Sequence, residues 1–197
     1  MTNASAQELR ALVLAAGAAK RFGSAKQLAQ LGGRTLLSQA VENAQSAAGS
    51  AFHVVLGSRA RQIASSLGLP AAHVLFNAHW REGIASSIRA GIEVLPPGCA
   101  AVLLLLADQP LVSETSLTPL IAAWRRAPTM IIASHFGDTE GAPCIFPRWS
   151  FGDLLTIRGA EGAQKLLRRH TARVQTVPHP EAGLDIDTPG QLAALEV

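Results

Sequence analysis

The strongest constraint on the fold is the alternation of short apolar runs with segments of helical period. Six apolar runs predict strands, at residues 11–15, 51–56, 73–76, 101–106, 130–134 and 172–177. Between them, apolar residues recur at helical spacing, as at Leu37, Ala40, Val41 and Ala44. Strands that alternate with helices across short links form parallel sheets covered by helices on both faces. The sequence therefore predicts an α/β fold around a mostly parallel sheet.

Three local signals refine this prediction. Residues 136–146 break the rhythm and favour a hairpin or flap, with an antiparallel strand as the alternative. Ser113 is a candidate N-cap, and Pro119 is expected in the first turn of the helix before the fifth strand. Near the end of the chain, Thr188 and Pro189 predict the N-cap and first residue of a last helix.

Composition limits the classes of protein. A chain of 197 residues with 48% hydrophobic residues suits one globular domain, here expected to span residues 1–197. The longest apolar stretch, residues 99–107, is too short to cross a bilayer. The first ten residues lack the basic and then apolar order of a secretory signal. We therefore expect a cytoplasmic protein without membrane contact. A net charge of +3 suits an anionic ligand or nucleic acid, but scarce aromatic residues argue against base stacking.

The segment LVLAAGAAKRFGSAKQL, residues 12–28, places a glycine-containing loop and three cations directly after the first predicted strand. Its free N–H groups and the cations Lys20, Arg21 and Lys26 suit a phosphate-bearing ligand. Neither GxxxxGK[ST] nor GxGxxG is present. The alternative is a surface loop with solvated cations. Ligands of open parallel sheets bind at the carboxyl ends of strands, and this position favours a ligand role.

Acidic residues follow in two places. Asp108 ends the buried run AAVLLLLADQP, where an unpaired carboxylate is costly, and a Mg²⁺ ion that also meets ligand phosphates would suit it. In GLDIDTPGQL, Asp185 and Asp187 share one side of an extended segment and could complete that metal site. The alternatives are an Asp turn at Asp108 and simple helix capping by the later pair.

A polar segment follows the third predicted strand. Asn77 lies on its loop, and Ser86 and Ser87 fall in the first turn of the next helix, where hydroxyl and N–H groups can meet an anion or a base edge. The six histidines and two cysteines form no ligand set or nucleophile motif. Covalent catalysis therefore has little support in the sequence.

Taken in order, five segments resemble the MobA-like nucleotidyltransferases, and within them the molybdenum-cofactor cytidylyltransferases. They are LAAGAAKRFGSAKQL (14–28), NAHWREGIASSIRAG (77–91), LLLADQP (104–110), GAPCIF (141–146) and DIDTP (185–189). The segment RGAEGAQ departs from the family pattern, with Ala160 in place of an aspartate and Glu161 after it.

The resemblance implies a Rossmann-like, three-layer α/β/α nucleotidyltransferase fold and a Mg²⁺-dependent transfer of CMP from CTP to the terminal phosphate of the molybdopterin cofactor. It implies catalytic roles for Arg21, Lys26 and Asp108, and metal ligation by Asp108, Asp185 and Asp187. The implied nucleotide-binding residues are Leu14, Ala15, Ala16, Gly17, Arg21, Lys26, Asn77, Ser86, Ser87 and Asp108. Ala16 favours CTP, because GTP users of the family tend to carry glycine there.

The implied partners are the nucleoside triphosphate, the pterin molybdenum cofactor, and a molybdoenzyme or its chaperone, without nucleic acid. Two alternatives remain open: a GTP-using or sugar-phosphate nucleotidyltransferase, and a non-catalytic protein that binds and hands over the cofactor. A nicotinamide-dependent oxidoreductase conflicts with the absence of GxGxxG.

Overall fold

A computed structural model describes residues 8–160 and 162–195, so Glu161 lies outside the described residues. The strands are β1 (Glu8–Ala15), β2 (Gln30–Leu31), β3 (Arg34–Thr35), β4 (Phe52–Leu56), β5 (Val74–Phe76), β6 (Cys99–Leu106), β7 (Ile131–Phe136), β8 (Thr139–Pro147) and β9 (Val174–Pro178). The helices are α1 (Leu36–Ala48), α2 (Ala60–Leu67), α3 (Ile84–Glu93), α4 (Glu114–Arg126), α5 (Phe151–Leu154), α6 (Gln164–Arg169) and α7 (Pro189–Ala193).

Seven strands form the main sheet in the order β5-β4-β1-β6-β8-β7-β9, and β2 pairs with β3 in a small hairpin. All main-sheet pairings are parallel except those of β8, which lies antiparallel between β6 and β7. The hairpin predicted for residues 136–146 is therefore confirmed together with its antiparallel strand, because a two-residue turn at 137–138 reverses the chain between β7 and β8.

The central strands separate two apolar layers because successive side chains point to opposite faces. On one face, Val13 of β1 and Leu103 of β6 pack in the cluster that contains buried residues of α1 and α4. On the other face, Leu12 and Leu104 pack in the cluster that contains buried residues of α3, α5 and α6. This arrangement confirms the predicted α/β/α layers around a mostly parallel sheet.

Two details of the helices differ from the sequence prediction. Pro119 lies inside α4 rather than in its first turn, because Ser113 and Ser116 form a capping box that starts the helix earlier. Helix α2 was not predicted, although its apolar residues recur at helical spacing; Ile63 is buried, and Ala60, Ala64 and Leu67 are partly buried against the same core. Within the described residues, no helix is both long and apolar enough to cross a membrane.

Candidate active site

The candidate site forms where two central strands end side by side. Strands β1 and β6 are parallel neighbours, so the residues that follow them meet at one edge of the sheet. The N–H of Ala107 donates to the carbonyl of Leu14 at 3.3 Å and continues the pairing to the strand ends. This geometry places the loop that begins at Gly17 beside Asp108, as the rule for ligand sites in parallel sheets predicts.

A distant segment is fixed against the same edge. The N–H of Ile186 donates to the carbonyl of Asp108 at 2.9 Å, and the Ile186 side chain is fully buried. Asp187 follows directly, and its N–H donates to Gln191 Oε1 at 2.8 Å. Thr188 caps α7, with Pro189 as the first helical residue, as predicted. Main-chain bonds therefore hold Asp108 and Asp187 in place.

Lys26 joins these two carboxylates. Its Nζ lies 2.8 Å from Asp108 Oδ2 and 3.2 Å from Asp187 Oδ1, and its side chain is only 12% exposed. Arg21 lies 2.6 Å from Asp187 Oδ2, with its side chain 74% exposed. The structure thus brings together the loop cations and the aspartates that the sequence predicted for one site, although they lie far apart in the chain.

Gln27 anchors the loop to β1 and was missed in the sequence. Its buried Nε2 donates to the carbonyls of Ala15, at 2.9 Å, and Gly17, at 3.0 Å, so the loop folds back on the strand end. The carbonyl of Ala16 accepts from the Ser58 N–H at 3.0 Å. A polar residue inside KQL gave no local signal, because only the tertiary structure shows that its amide is buried.

Two adjoining clefts open around the loop. The first has a volume of about 270 Å³, and its wall includes Lys26, Arg21, Asp108 and Asp187. The second, of about 580 Å³, is lined on its far side by residues of the α3 region, namely Trp80, Arg81, Gly83, Ile84 and Ser87. Leu14, Gly17, Lys20 and Asp108 line both clefts. An anion in the first cleft would therefore lie next to a ligand in the second.

A smaller apolar pocket adjoins the second cleft. It has a volume of about 190 Å³ and shares Leu14, Ile84 and Leu106 with that cleft. Cys144 also lines it, and burial raises the pKa of this thiol to about 12. Because the thiolate is the nucleophilic form, Cys144 is unsuited to covalent catalysis.

The polar segment after β5 is arranged differently. Asn77 Nδ2 donates to Ser86 Oγ at 2.8 Å and to Ser87 Oγ at 3.0 Å, and Asn77 Oδ1 accepts from the His79 N–H at 2.8 Å. The three side chains that were predicted to contact a nucleotide are buried and bonded to one another. Ser87 reaches the wall of the second cleft.

A buried histidine attaches the segment that carries Asp187. His179 Nδ1 lies 2.8 Å from Ser134 Oγ, and its Nε2 lies 2.9 Å from Ser116 Oγ. Burial lowers the pKa of His179. Beside it, Gln109 Nε2 donates to the carbonyls of Ala142 and Ala182. These contacts tie the chain before Asp185 to α4, β7 and β8.

Two of the three predicted metal ligands match the donor chemistry that Mg²⁺ requires. Asp108 and Asp187 provide hard carboxylate oxygens that converge on one cation, the Lys26 ammonium, and so fit a metal held by two carboxylates and ligand phosphates. Asp185 lies nearby, and its pKa is raised to about 6, mainly because burial removes hydration and secondly because the Asp108 carboxylate repels its charged form. In the described part of the chain, no group of three or more His, Cys, Asp or Glu side chains is arranged to hold a metal.

Comparison with known proteins identifies the family. The model of the MobA-like NTP transferase domain matches residues 11–174, which include the loop, the Asn77 segment and Asp108. The chain belongs to the MobA-like NTP transferase family. This confirms the resemblance to the MobA-like nucleotidyltransferases, and the matched range contains four of the five motifs, all but DIDTP (185–189).

Individual relatives differ in how much of them the chain covers. It is 38% identical over 123 residues, 60% of its length, to the bifunctional protein GlmU of Legionella pneumophila strain Philadelphia 1, and spans about a quarter (26%) of that relative. It is 28% identical over 165 residues to the purine catabolism protein PucB of Bacillus subtilis strain 168, covering 79% of this chain and 78% of PucB.

A solved structure covers nearly the whole fold. Rv0371c of Mycobacterium tuberculosis H37Rv superposes with a TM-score of 0.82 at 27% identity, over 98% of each chain. A further structure of Rv0371c is a complex with manganese, with a TM-score of 0.78 and 26% identity over 96% of this chain and 98% of that chain. These likenesses agree with the Rossmann-like nucleotidyltransferase fold.

Proposed function

We propose that this protein is a Mg²⁺-dependent nucleotidyltransferase that moves CMP from CTP to the terminal phosphate of the molybdopterin cofactor and releases pyrophosphate. The observation that carries the proposal is the meeting of Lys26 and Arg21 with Asp108 and Asp187 on the wall of one cleft. Residues 1–197 would form a single nucleotidyltransferase domain, with a molybdoenzyme or its chaperone as the recipient of the product.

The reaction suits a site without a covalent nucleophile. The acceptor phosphate is already ionised at neutral pH, so the protein has to position two anionic groups and neutralise the charge that develops between them. Lys26 and Arg21 would bind the triphosphate oxygens, and Asp108 and Asp187 would hold the metal. A bound Mg²⁺ would supply further positive charge toward the α-phosphate and the leaving pyrophosphate. The manganese complex of Rv0371c supports a divalent ion.

The second cleft suits the acceptor. Lys20 and Arg81 line it and offer positive charge to a phosphate, and the adjoining apolar pocket offers Leu14, Ile84 and Leu106 to a flat heterocycle. This division would place the donor over the first cleft and the acceptor over the second, with Asp108 on the wall of both. The preference for CTP rests on Ala16 in LAAG, by resemblance to cytidylyltransferases.

A matrix of donors and acceptors tests the proposal. Purified protein with Mg²⁺ is incubated with CTP, GTP, ATP or UTP, each with molybdopterin or a sugar 1-phosphate, and pyrophosphate release is measured. We expect release with CTP and molybdopterin, and a much slower reaction with GTP. Faster release with GTP or with the sugar phosphate would replace the proposed substrates, and no release in any combination would favour the cofactor-binding alternative.

A further inference from the structure

Lys26 occupies the position between the two carboxylates that would ligate the metal. Its Nζ contacts Asp108 at 2.8 Å and Asp187 at 3.2 Å, and only 12% of its side chain is exposed. A partly buried ion pair of this kind is screened less by solvent than a surface pair. A divalent ion that binds between the same two oxygens would occupy the position of the ammonium group, so it must displace that group.

The two sides of this contact differ in the length of the side chains that make it. The main chain that carries the two aspartates is held by the bond from the Ile186 N–H to the Asp108 carbonyl and by the capping box of α7. Lys26 reaches them with a four-carbon stem from a short helical turn at Lys26–Leu28, beside the first cleft. The ammonium group, at the end of the longer side chain, therefore has the greater reach toward a new partner.

We infer that Lys26 blocks the metal position in the free protein and couples metal binding to nucleotide binding, an inference that rests on the proposed function. A triphosphate in the first cleft offers Lys26 new anionic partners, so the ammonium can leave both carboxylates without losing its charge pairing. The metal then fills the place it leaves. Without a nucleotide, the metal has to compete with an intramolecular cation.

Lys26 carries the cation that competes with the metal, so we expect its removal to strengthen metal binding. Lys26→Met removes the ammonium group between Asp108 and Asp187, and Arg21 remains paired with Asp187 Oδ2. Mn²⁺ serves as the probe, and free Mn²⁺ is measured by electron paramagnetic resonance during titration of the full chain without nucleotide. We expect Lys26→Met to bind Mn²⁺ about tenfold more tightly than the wild type, within the usual range of coupling between two ligands.

Two further variants control this experiment. Arg61→Met removes one positive charge from α2, where Arg61 is exposed and lines neither cleft, so its Mn²⁺ affinity should stay near that of the wild type. Adding Asp108→Asn to Lys26→Met should abolish the gain if the ion binds at this position. Equal or weaker Mn²⁺ binding by Lys26→Met, or a gain that survives Asp108→Asn, would overturn the inference.

A second measurement compares the effect of CTP on Mn²⁺ binding by the wild type and by Lys26→Met. CTP at saturating concentration should raise the Mn²⁺ affinity of the protein by at least tenfold beyond the binding of Mn²⁺ by CTP itself, and should do so much less in Lys26→Met. Equal enhancement in both proteins would contradict the coupling. These titrations use no acceptor and no turnover, so they remain informative if the proposed transfer to molybdopterin fails.

Discussion

The two polar regions at the carboxyl edge of the sheet are organised in opposite ways. Around Lys26, charged groups from three segments meet on the wall of a cleft and keep some contact with solvent. Around Asn77, neutral groups are buried and satisfy one another. We propose that the first region exchanges its partners with a ligand, whereas the hydrogen bonds of the second hold the loop before α3. Position after a strand predicts both regions but does not distinguish these roles.

The largest expected effect comes from Asp108→Asn. Loss of the carboxylate removes a proposed metal ligand and the partner of Lys26, and we expect pyrophosphate release to fall by about 10²–10³-fold, the usual scale for a lost electrostatic contact at a reacting centre. Glu93→Gln is the matched control, because Glu93 is exposed at the end of α3 remote from its start at the cleft. An Asp108→Asn protein as active as this control would refute the role of Asp108.

The two loop cations should differ in importance. Lys26 is largely buried and Arg21 is mostly exposed, so solvent weakens the interactions of Arg21 more. We expect Lys26→Met to lower kcat/KM for CTP by about a hundredfold and Arg21→Met by about tenfold. Steady-state kinetics with varied CTP measure both values. The reverse order would show that exposure in the free protein does not determine which cation binds the triphosphate.

Asn77→Ala tests the buried region. This variant removes the donor to two hydroxyl oxygens and the acceptor of one N–H, and we expect it to lower the free energy of unfolding by about 2–3 kcal/mol in a denaturant titration. Asn43→Ala removes one bond, to the Val112 carbonyl, and should cost about 1 kcal/mol. If Asn77→Ala instead kept full stability and lost kcat/KM for CTP, Asn77 would contact the nucleotide directly.

The smallest effect concerns the attachment of the Asp187 segment. The lowered pKa of His179 means that the unfolded chain binds its proton more readily than the folded protein, so stability falls as the pH drops through 6.5, the ordinary value for histidine. His179→Gln removes this titration, and its stability should change less between pH 7.5 and pH 5.5. Thermal unfolding at several pH values measures the slopes; equal slopes would show that another group titrates.

Much of the fold can be predicted from the sequence because buried strands leave a simple signal. Each predicted apolar run overlaps a strand of the main sheet. Strand β8 was less certain, because Gly141 and Pro143 interrupt its pattern. The position of Pro119 was predicted wrongly because proline is favoured in the first turn of a helix. The capping box at Ser113 starts the helix several residues earlier.

The site was predictable in its parts but not in its contacts. Strand ends identified the loop, Asp108 and the Asn77 segment as neighbours. No local pattern shows that Lys26 would pair with both Asp108 and Asp187, since those contacts depend on the sheet order and on the bond from Ile186 to the Asp108 carbonyl. The buried amides of Gln27 and Gln109 were missed for the same reason.

The most direct test of the proposed site is a crystal structure of the protein with CTP and Mn²⁺, with the metal located by anomalous scattering. We expect the anomalous peak between the carboxylates of Asp108 and Asp187, with Lys26 Nζ moved onto the phosphates of CTP. A structure in which CTP is bound, Lys26 still bridges both aspartates and the metal lies elsewhere would contradict the proposed site.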